Sequence, residues 1–89
     1  MLTIQQFRAD YIAAIQVKRD AKVLHWAHAS DRTVSEFVDT IIRKIPAHGV
    51  MGWDENRTLR TVARRNGIST VAELRAWHRE ATAKEAVTA

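Results

Sequence analysis

The amino-acid sequence predicts an all-α fold, a small four-helix domain with a long N-terminal helix, and three observations support it. The 89 residues include only one proline and three glycines, so few residues interrupt a helix. Apolar residues recur at spacings of three and four along most of the chain. A threonine followed three residues later by Gln or Glu occurs at Thr3, Thr33 and Thr70, which is typical of capping boxes at helix starts. We expect one domain spanning residues 1–89, with a core near the small end of what folds unaided.

The first predicted helix spans about residues 4–28. No glycine or proline interrupts it, although the polar run Lys18-Arg19-Asp20 leaves open a break into two shorter helices. A helix this long needs an apolar partner along its length, either from later helices or from a second copy of the chain. Its predicted seam consists of Phe7, Tyr11, Ala14, Val17, Ala21, Leu24 and His28.

The second predicted helix, residues 34–45, has the clearest amphipathic pattern in the sequence. Thr33 is its predicted cap, with Glu36 completing the capping box, and Pro46 ends it. We expect this helix to lie at the centre of the core. Its apolar face consists of Val34, Phe37, Val38, Ile41, Ile42 and Ile45.

Two shorter helices complete the predicted fold, after a loop over residues 47–53 that folds back over the core. The third helix spans about residues 55–66 and is capped by Asp54. Gly67 is expected in the left-handed conformation that closes it. The fourth helix spans about residues 71–82, with Val71, Leu74 and Trp77 on its buried side, and residues 84–89 are expected to fray. At least two of the three tryptophans are expected to close the core.

The junction between the last two helices contains the pattern Ala63-x-x-x-Gly67-Ile68-Ser69. This spacing resembles the turn of the DNA-binding helix-turn-helix, although Glu73 occupies a position where that family usually has an aliphatic residue. The segment from Gly67 to Leu74 is also similar to the short helical hairpins of helix-hairpin-helix modules and of the C-terminal domain of bacterial RNA polymerase α subunits. These resemblances imply binding to a DNA groove or backbone.

Positive charge is concentrated in the same region. Residues 57–79 contain six arginines and one acid, Glu73, which gives +5, so the remainder of the +4 chain carries −1. Because a guanidinium donates bidentately to phosphate and guanine, we predict a nucleic-acid-binding or regulatory protein, with DNA favoured over RNA. In the helix-turn-helix interpretation, the last two arginines contact bases or backbone and the others bind phosphate. The predicted binding residues are Arg57, Arg60, Arg64, Arg65, Arg75 and Arg79.

A second class of function fits the same sequence. The arginines could instead meet an acidic protein surface, as in an adaptor or an inhibitor, for example one encoded by a phage, that docks on a larger assembly. A contiguous basic patch would favour nucleic acid, whereas arginines paired with Asp54, Glu55, Glu73 and Glu80 would favour the protein partner. A homodimer is compatible with either function.

Other classes of function have little support in the sequence. There is no cysteine, no glycine-rich phosphate loop and no paired-carboxylate motif, so we do not expect an enzyme or a bound cofactor. His25 and His28 have helical spacing but lack an acidic partner on the same face, with Asp31 the nearest candidate, so no metal site is predicted. No apolar run approaches the ~18 residues that span a bilayer. We therefore expect a soluble cytoplasmic protein without a membrane partner.

Overall fold

The computed structural model describes residues 1–48 and 50–88, except for the side chains of residues 50, 51, 87 and 88. Within these ranges the chain is all-helical and contains no strand, so the predicted fold class is confirmed, with five α-helices where four were predicted. A single turn of 3-10 helix, Ile45–Ala47, follows the second α-helix. The α-helices are α1 (Ile4–Asp20), α2 (Asp31–Arg43), α3 (Val50–Glu55), α4 (Arg57–Arg65) and α5 (Val71–Thr88).

The first helix begins as predicted but is shorter. Thr3 and Gln6 form the reciprocal capping box, with Thr3 Oγ1 accepting from the Gln6 amide at 3.1 Å. The prediction that the helix continues to His28 is wrong, because α1 ends at Asp20 and Lys22 has a left-handed φ of 59°. Residues 21–28 form successive turns instead. The C-terminal part of the predicted seam is therefore exposed, including Leu24, which is 85% exposed.

The second helix begins earlier than predicted. Ser30, not Thr33, is its cap, and Ser30 Oγ accepts from the Thr33 amide at 3.1 Å. Glu36 consequently makes no capping box and pairs with Arg32 at 2.9 Å instead. The predicted apolar face is largely confirmed. Its buried members are Val34, Val38, Ile42 and Ile45, Ile41 is partly buried, and Phe37 remains 36% exposed.

The segment predicted as a loop over residues 47–53 contains the end of the 3-10 helix and most of α3. Trp53 is buried, as expected, while Gly49 and the side chains of Val50 and Met51 are outside the described residues. The cap of the next helix is Asn56, whose Oδ1 accepts from the Leu59 amide at 3.0 Å, so the prediction of Asp54 is wrong. Asp54 lies inside α3.

The joint between α4 and α5 has the predicted local chemistry. Gly67 has a φ of 81°, and the Ile68 amide donates to the Ala63 carbonyl at 2.9 Å, as in a Schellman motif. Thr70 caps α5, accepting from the Glu73 amide at 3.1 Å. The helix continues to Thr88, so the predicted end near residue 82 is too early, and Ala89 is outside the described residues.

The core lies around α1, which packs between α2 on one side and α4 on the other, while α5 covers α1 and the 3-10 helix. Trp77 of α5 stacks against Phe7 with ring centroids 4.8 Å apart, and Trp77 Nε1 donates to the Leu2 carbonyl at 2.8 Å. Trp53 and Trp77 are buried, which confirms that two tryptophans close the core. The fully buried side chains are those of Phe7, Tyr11, Ile15, Val38, Ile45, Leu59, Val62, Ala63 and Leu74.

Candidate functional site

The outer face of α4 carries an uncompensated set of cations. The nine residues of this helix include four arginines and no acid. Its inner face packs into the core through Leu59 and Val62, which places the polar residues outward. We call the three exposed arginines, Arg57, Arg64 and Arg65, the α4 basic face. Within the described part of the chain, none of the three forms an ion pair.

The fourth arginine of α4 has a structural role. Arg60 Nη1 donates to the carbonyls of Trp53, at 3.3 Å, and of Asp54, both near the C-terminal end of α3. A cation at that end satisfies carbonyls that lack helical partners and complements the helix dipole. Arg60 is half-buried by this arrangement and is less available to a ligand than its neighbours.

A groove of about 290 Å³ runs between α1 and α4 beside the α4 basic face. Arg57 and Arg65 line it together with Lys18 of α1, and Lys18 Nζ donates to Thr58 Oγ1 across the groove. Lys18 is not among the binding residues that the sequence predicts. No local signal identifies it, because 40 residues separate it from Thr58 and only the packing of α1 on α4 brings it here.

The two arginines of α5 lie elsewhere. Arg75 and Arg79 line a second groove, of about 500 Å³, which is shared with Pro46 and His78. Arg75 is half-buried, and its Nε is buried without a hydrogen-bond partner among the described residues. Burial also lowers the pKa of His78. The first groove therefore holds two of the six predicted binding residues and the second holds two others, while Arg60 makes a capping contact. Arg64 is exposed and lines neither groove, so neither groove holds all six.

The exposed start of α5, which would enter a DNA groove in a helix-turn-helix, is not basic. Its exposed residues over the first two turns are Ala72, Glu73 and Ala76.

Pairing of the arginines with acids was the sequence-based criterion for a protein partner. Of the four acids considered, Glu80 is the one with an ion pair among the described residues, at 4.0 Å from Lys84.

The two histidines that the sequence offers as candidate metal ligands lie in the turns after α1. His25 and His28 are exposed and lie outside any helix, so their helical spacing does not apply. Among the described residues, no group of three His, Cys, Asp or Glu side chains is arranged to hold a metal ion.

In the same part of the chain, no helix has the length and apolar character required to cross a bilayer.

Comparisons with known proteins leave the class of this helical domain to be judged from its own geometry. Neither the comparison with protein-family models nor those with curated protein sequences and solved structures returned a match.

Proposed function

We propose that this protein binds nucleic acid through the sugar-phosphate backbone, using the α4 basic face and Lys18. One observation carries the proposal: the three exposed arginines of α4 have no acidic partner among the described residues, although acids are frequent elsewhere in the chain. Arg8, Arg19 and Arg32, by contrast, are each held by a carboxylate. Unpaired cations on one face of a short, packed helix present a cluster of donors to phosphate.

The groove between α1 and α4 supports the same proposal. Lys18 and Arg65 approach it from different helices, so a phosphate there would receive donors from two directions. Thr58 adds a hydroxyl group at the same place, a common phosphate partner, and its oxygen accepts from Lys18 while its O–H can still donate. The Thr61 hydroxyl donates to the Arg57 carbonyl instead. The ligand class proposed here is polyanionic and is recognised by charge and shape. DNA is preferred over RNA on the resemblance of the α4–α5 turn alone.

The test compares two double variants that remove equal charge. Arg57→Gln/Arg65→Gln alters α4, and Arg75→Gln/Arg79→Gln is the matched control on α5. Binding of fluorescein-labelled oligonucleotides is measured by anisotropy between about 50 and 200 mM salt. We expect the α4 variant to reduce the salt slope of log Kd by about 1.5, because two phosphate contacts of roughly 0.7–0.9 each are lost. The α5 control should change the slope by less than half as much.

Two results contradict this proposal. Absence of binding by the unaltered protein at the lowest salt would exclude nucleic acid as the ligand. Equal losses in both double variants would show that only net charge matters and that α4 is not the binding surface.

A protein partner is the second candidate, and a specific observation favours it. Val17, Val23 and Leu24 are exposed apolar side chains within eight residues of one another in sequence, and Leu24 is almost fully exposed. Apolar side chains concentrated on a surface are typical of interaction sites, including homodimer interfaces. Sedimentation of the protein with and without Leu24→Ser tests the homodimer: a dimer that dissociates on this change supports it, and a monomer at all concentrations removes it.

A further inference from the structure

A third pocket, of about 490 Å³, lies where α1, α2, α3 and the start of α4 meet, and three aromatic rings form part of its wall. These are Tyr11, Trp26 and Phe37, and we call this site the aromatic pocket. The ring of Phe37 lies edge-on to both neighbours, with centroids 5.0 Å from Trp26 and 6.3 Å from Tyr11. The volume lies within the roughly 300–1,000 Å³ range of small-molecule sites.

The exposure of Phe37 indicates that this pocket is not simply core. Phe37 belongs to the apolar face of α2 and has the spacing of a core residue, yet more than a third of it is accessible. Trp26 is only partly buried and lies in the turns after α1, which the left-handed Lys22 creates. Leaving large aromatic surface accessible forgoes hydrophobic stabilisation, which a planar ligand would recover.

The aromatic pocket adjoins the groove beside the α4 basic face. Lys18, Arg57 and Thr58 line both. A phosphate bound by Lys18 and Arg57 would therefore place the rest of its nucleotide next to the rings of Trp26 and Phe37. This adjacency of phosphate donors and aromatic rings is typical of sites that bind single-stranded nucleic acid.

Polar groups in the wall suit the edge of a base. Asn56 Oδ1 already accepts from Tyr11 Oη at 3.2 Å and from the Leu59 amide at 3.0 Å, which fixes the orientation of its amide. Its Nδ2 has no partner among the described residues and is available as a donor. Glu55 supplies an acceptor, and its charge keeps phosphate on the Lys18 and Arg57 side. Base edges carry both donors and acceptors, so this pair complements them.

We infer that the aromatic pocket receives an unpaired nucleobase, so the preferred ligand is single-stranded nucleic acid. This inference rests on the proposed function. A base within a duplex is stacked on both sides and cannot enter a pocket, whereas a base in a single strand can rotate into it. Stacking on the accessible surfaces of Trp26 and Phe37 adds sequence-tolerant affinity to the salt-dependent phosphate contacts.

The experiment measures the anisotropy of a short fluorescein-labelled oligonucleotide of mixed sequence, as a single strand and as its duplex. Trp26→Leu keeps a smaller apolar side chain and removes the indole face. Phe37→Leu is a second variant of the same wall, and Val23→Ala in the same turn is the control. We expect wild type and the control to prefer the single strand. Trp26→Leu should weaken single-strand binding about tenfold or more, because each stacked base contributes substantially, and should leave duplex binding unchanged. The salt slope should also be unchanged, because no phosphate contact is lost.

The salt dependence of log Kd distinguishes failure of this inference from failure of the proposed function. If wild type binds both forms equally, or if Trp26→Leu and Phe37→Leu both leave single-strand affinity intact, the inference is overturned. The proposed function then survives, provided that Arg57→Gln/Arg65→Gln still reduces the slope. If no oligonucleotide binds, both fail together and an acidic protein surface becomes the ligand of the α4 basic face. A reduced slope in Trp26→Leu would mean that the change disturbs α4, and Phe37→Leu then decides the inference.

Discussion

The helices α4 and α5 are joined by one short turn and both contain arginine, but they use it differently. Over residues 57–65, α4 has four basic residues and no acid, so it carries +4. Over residues 71–88, α5 has three basic and three acidic residues, so its net charge is zero. The +5 of residues 57–79 thus belongs mainly to α4. Charge summed along a sequence window identifies a region, and the packing of each helix then decides which cations reach solvent.

The inner faces of the two helices give the largest expected effect. Leu59 of α4 and Leu74 of α5 are both fully buried. Leu59→Ala and Leu74→Ala should each lower the free energy of unfolding by about 2–5 kcal/mol, because each removes buried methyl groups and leaves a cavity. Urea unfolding followed by circular dichroism measures this. Val17→Ala is the exposed control, with an expected change within about 0.5 kcal/mol.

If Leu59→Ala lowers the free energy of unfolding by less than ~1 kcal/mol while Leu74→Ala has the expected effect, burial of Leu59 does not hold α4 in place. A nine-residue helix depends on such packing for its stability. The orientation of the α4 basic face would then lack its structural basis.

The starts of α4 and α5 are held in place by different contacts. The cap of α4, Asn56, is tied to α1 through Tyr11, whereas Thr70 of α5 bonds within its own helix. Burial raises the pKa of Tyr11 to about 12, from an ordinary value of 10.0. Above pH 10 the unfolded chain loses the phenol proton first, so the protein binds more protons when folded and its stability falls as pH rises. We expect the contribution of Tyr11 to the free energy of unfolding to be fully present below pH 10.0. By about pH 12 the free energy of unfolding should have fallen by on the order of 2 kcal/mol.

Tyr11 is the only tyrosine in the sequence, so tyrosinate absorbance reports it directly. Urea unfolding of the wild type and of Tyr11→Phe, below pH 10 and near pH 12, isolates its contribution from that of the lysines. Titration of the folded protein at the ordinary tyrosine pKa would show that this phenol is accessible and that α4 is not anchored as described.

The smallest expected change in stability comes from substitution of Gly67, in the turn between α4 and α5. A Cβ added at Gly67 meets no atom within 4 Å, so the cost of a substitution there is purely conformational. Gly67→Ala should destabilise by about 1–2 kcal/mol at the left-handed φ. Gly67→Asn should cost less, since asparagine tolerates that region. Thermal unfolding compares the two, and an alanine variant as stable as the wild type would contradict the left-handed cap.

Local chemistry explains which parts of the fold could be predicted. The caps at Thr3 and Thr70, the stop near Pro46 and the turn at Gly67 depend on residues within one helical turn, and sequence patterns report them. The polar run Lys18-Arg19-Asp20 left open a break at the place where α1 does end. The turns that follow, in place of a second helix, could not be predicted, because Lys22 adopts φ 59° without being a glycine. Ser30 was not predicted as the cap of α2; with Ser30 as the cap, the helix begins with Asp31 at its positive end, where a negative charge is favourable.

Only part of the candidate site could be predicted from local sequence patterns. Arg57, Arg64 and Arg65 are exposed, as the periodicity of α4 predicts. Arg60 could not be recognised as a capping residue, because α3 itself was predicted as a loop. Lys18 and the aromatic pocket depend on contacts between helices that are distant in sequence, and no pattern within one helix contains them.

The contact between Trp77 and the segment before α1 has a consequence for synthesis of the chain. Its hydrogen bond to the Leu2 carbonyl closes a loop of 75 residues, and the same indole covers Phe7. A ribosome releases the N-terminal segment first, so the part of α1 around Phe7 is not yet covered by α5 when α2 and α4 have been made. Until Leu74 and Trp77 have been made, the nascent chain exposes apolar surface of the kind that favours aggregation.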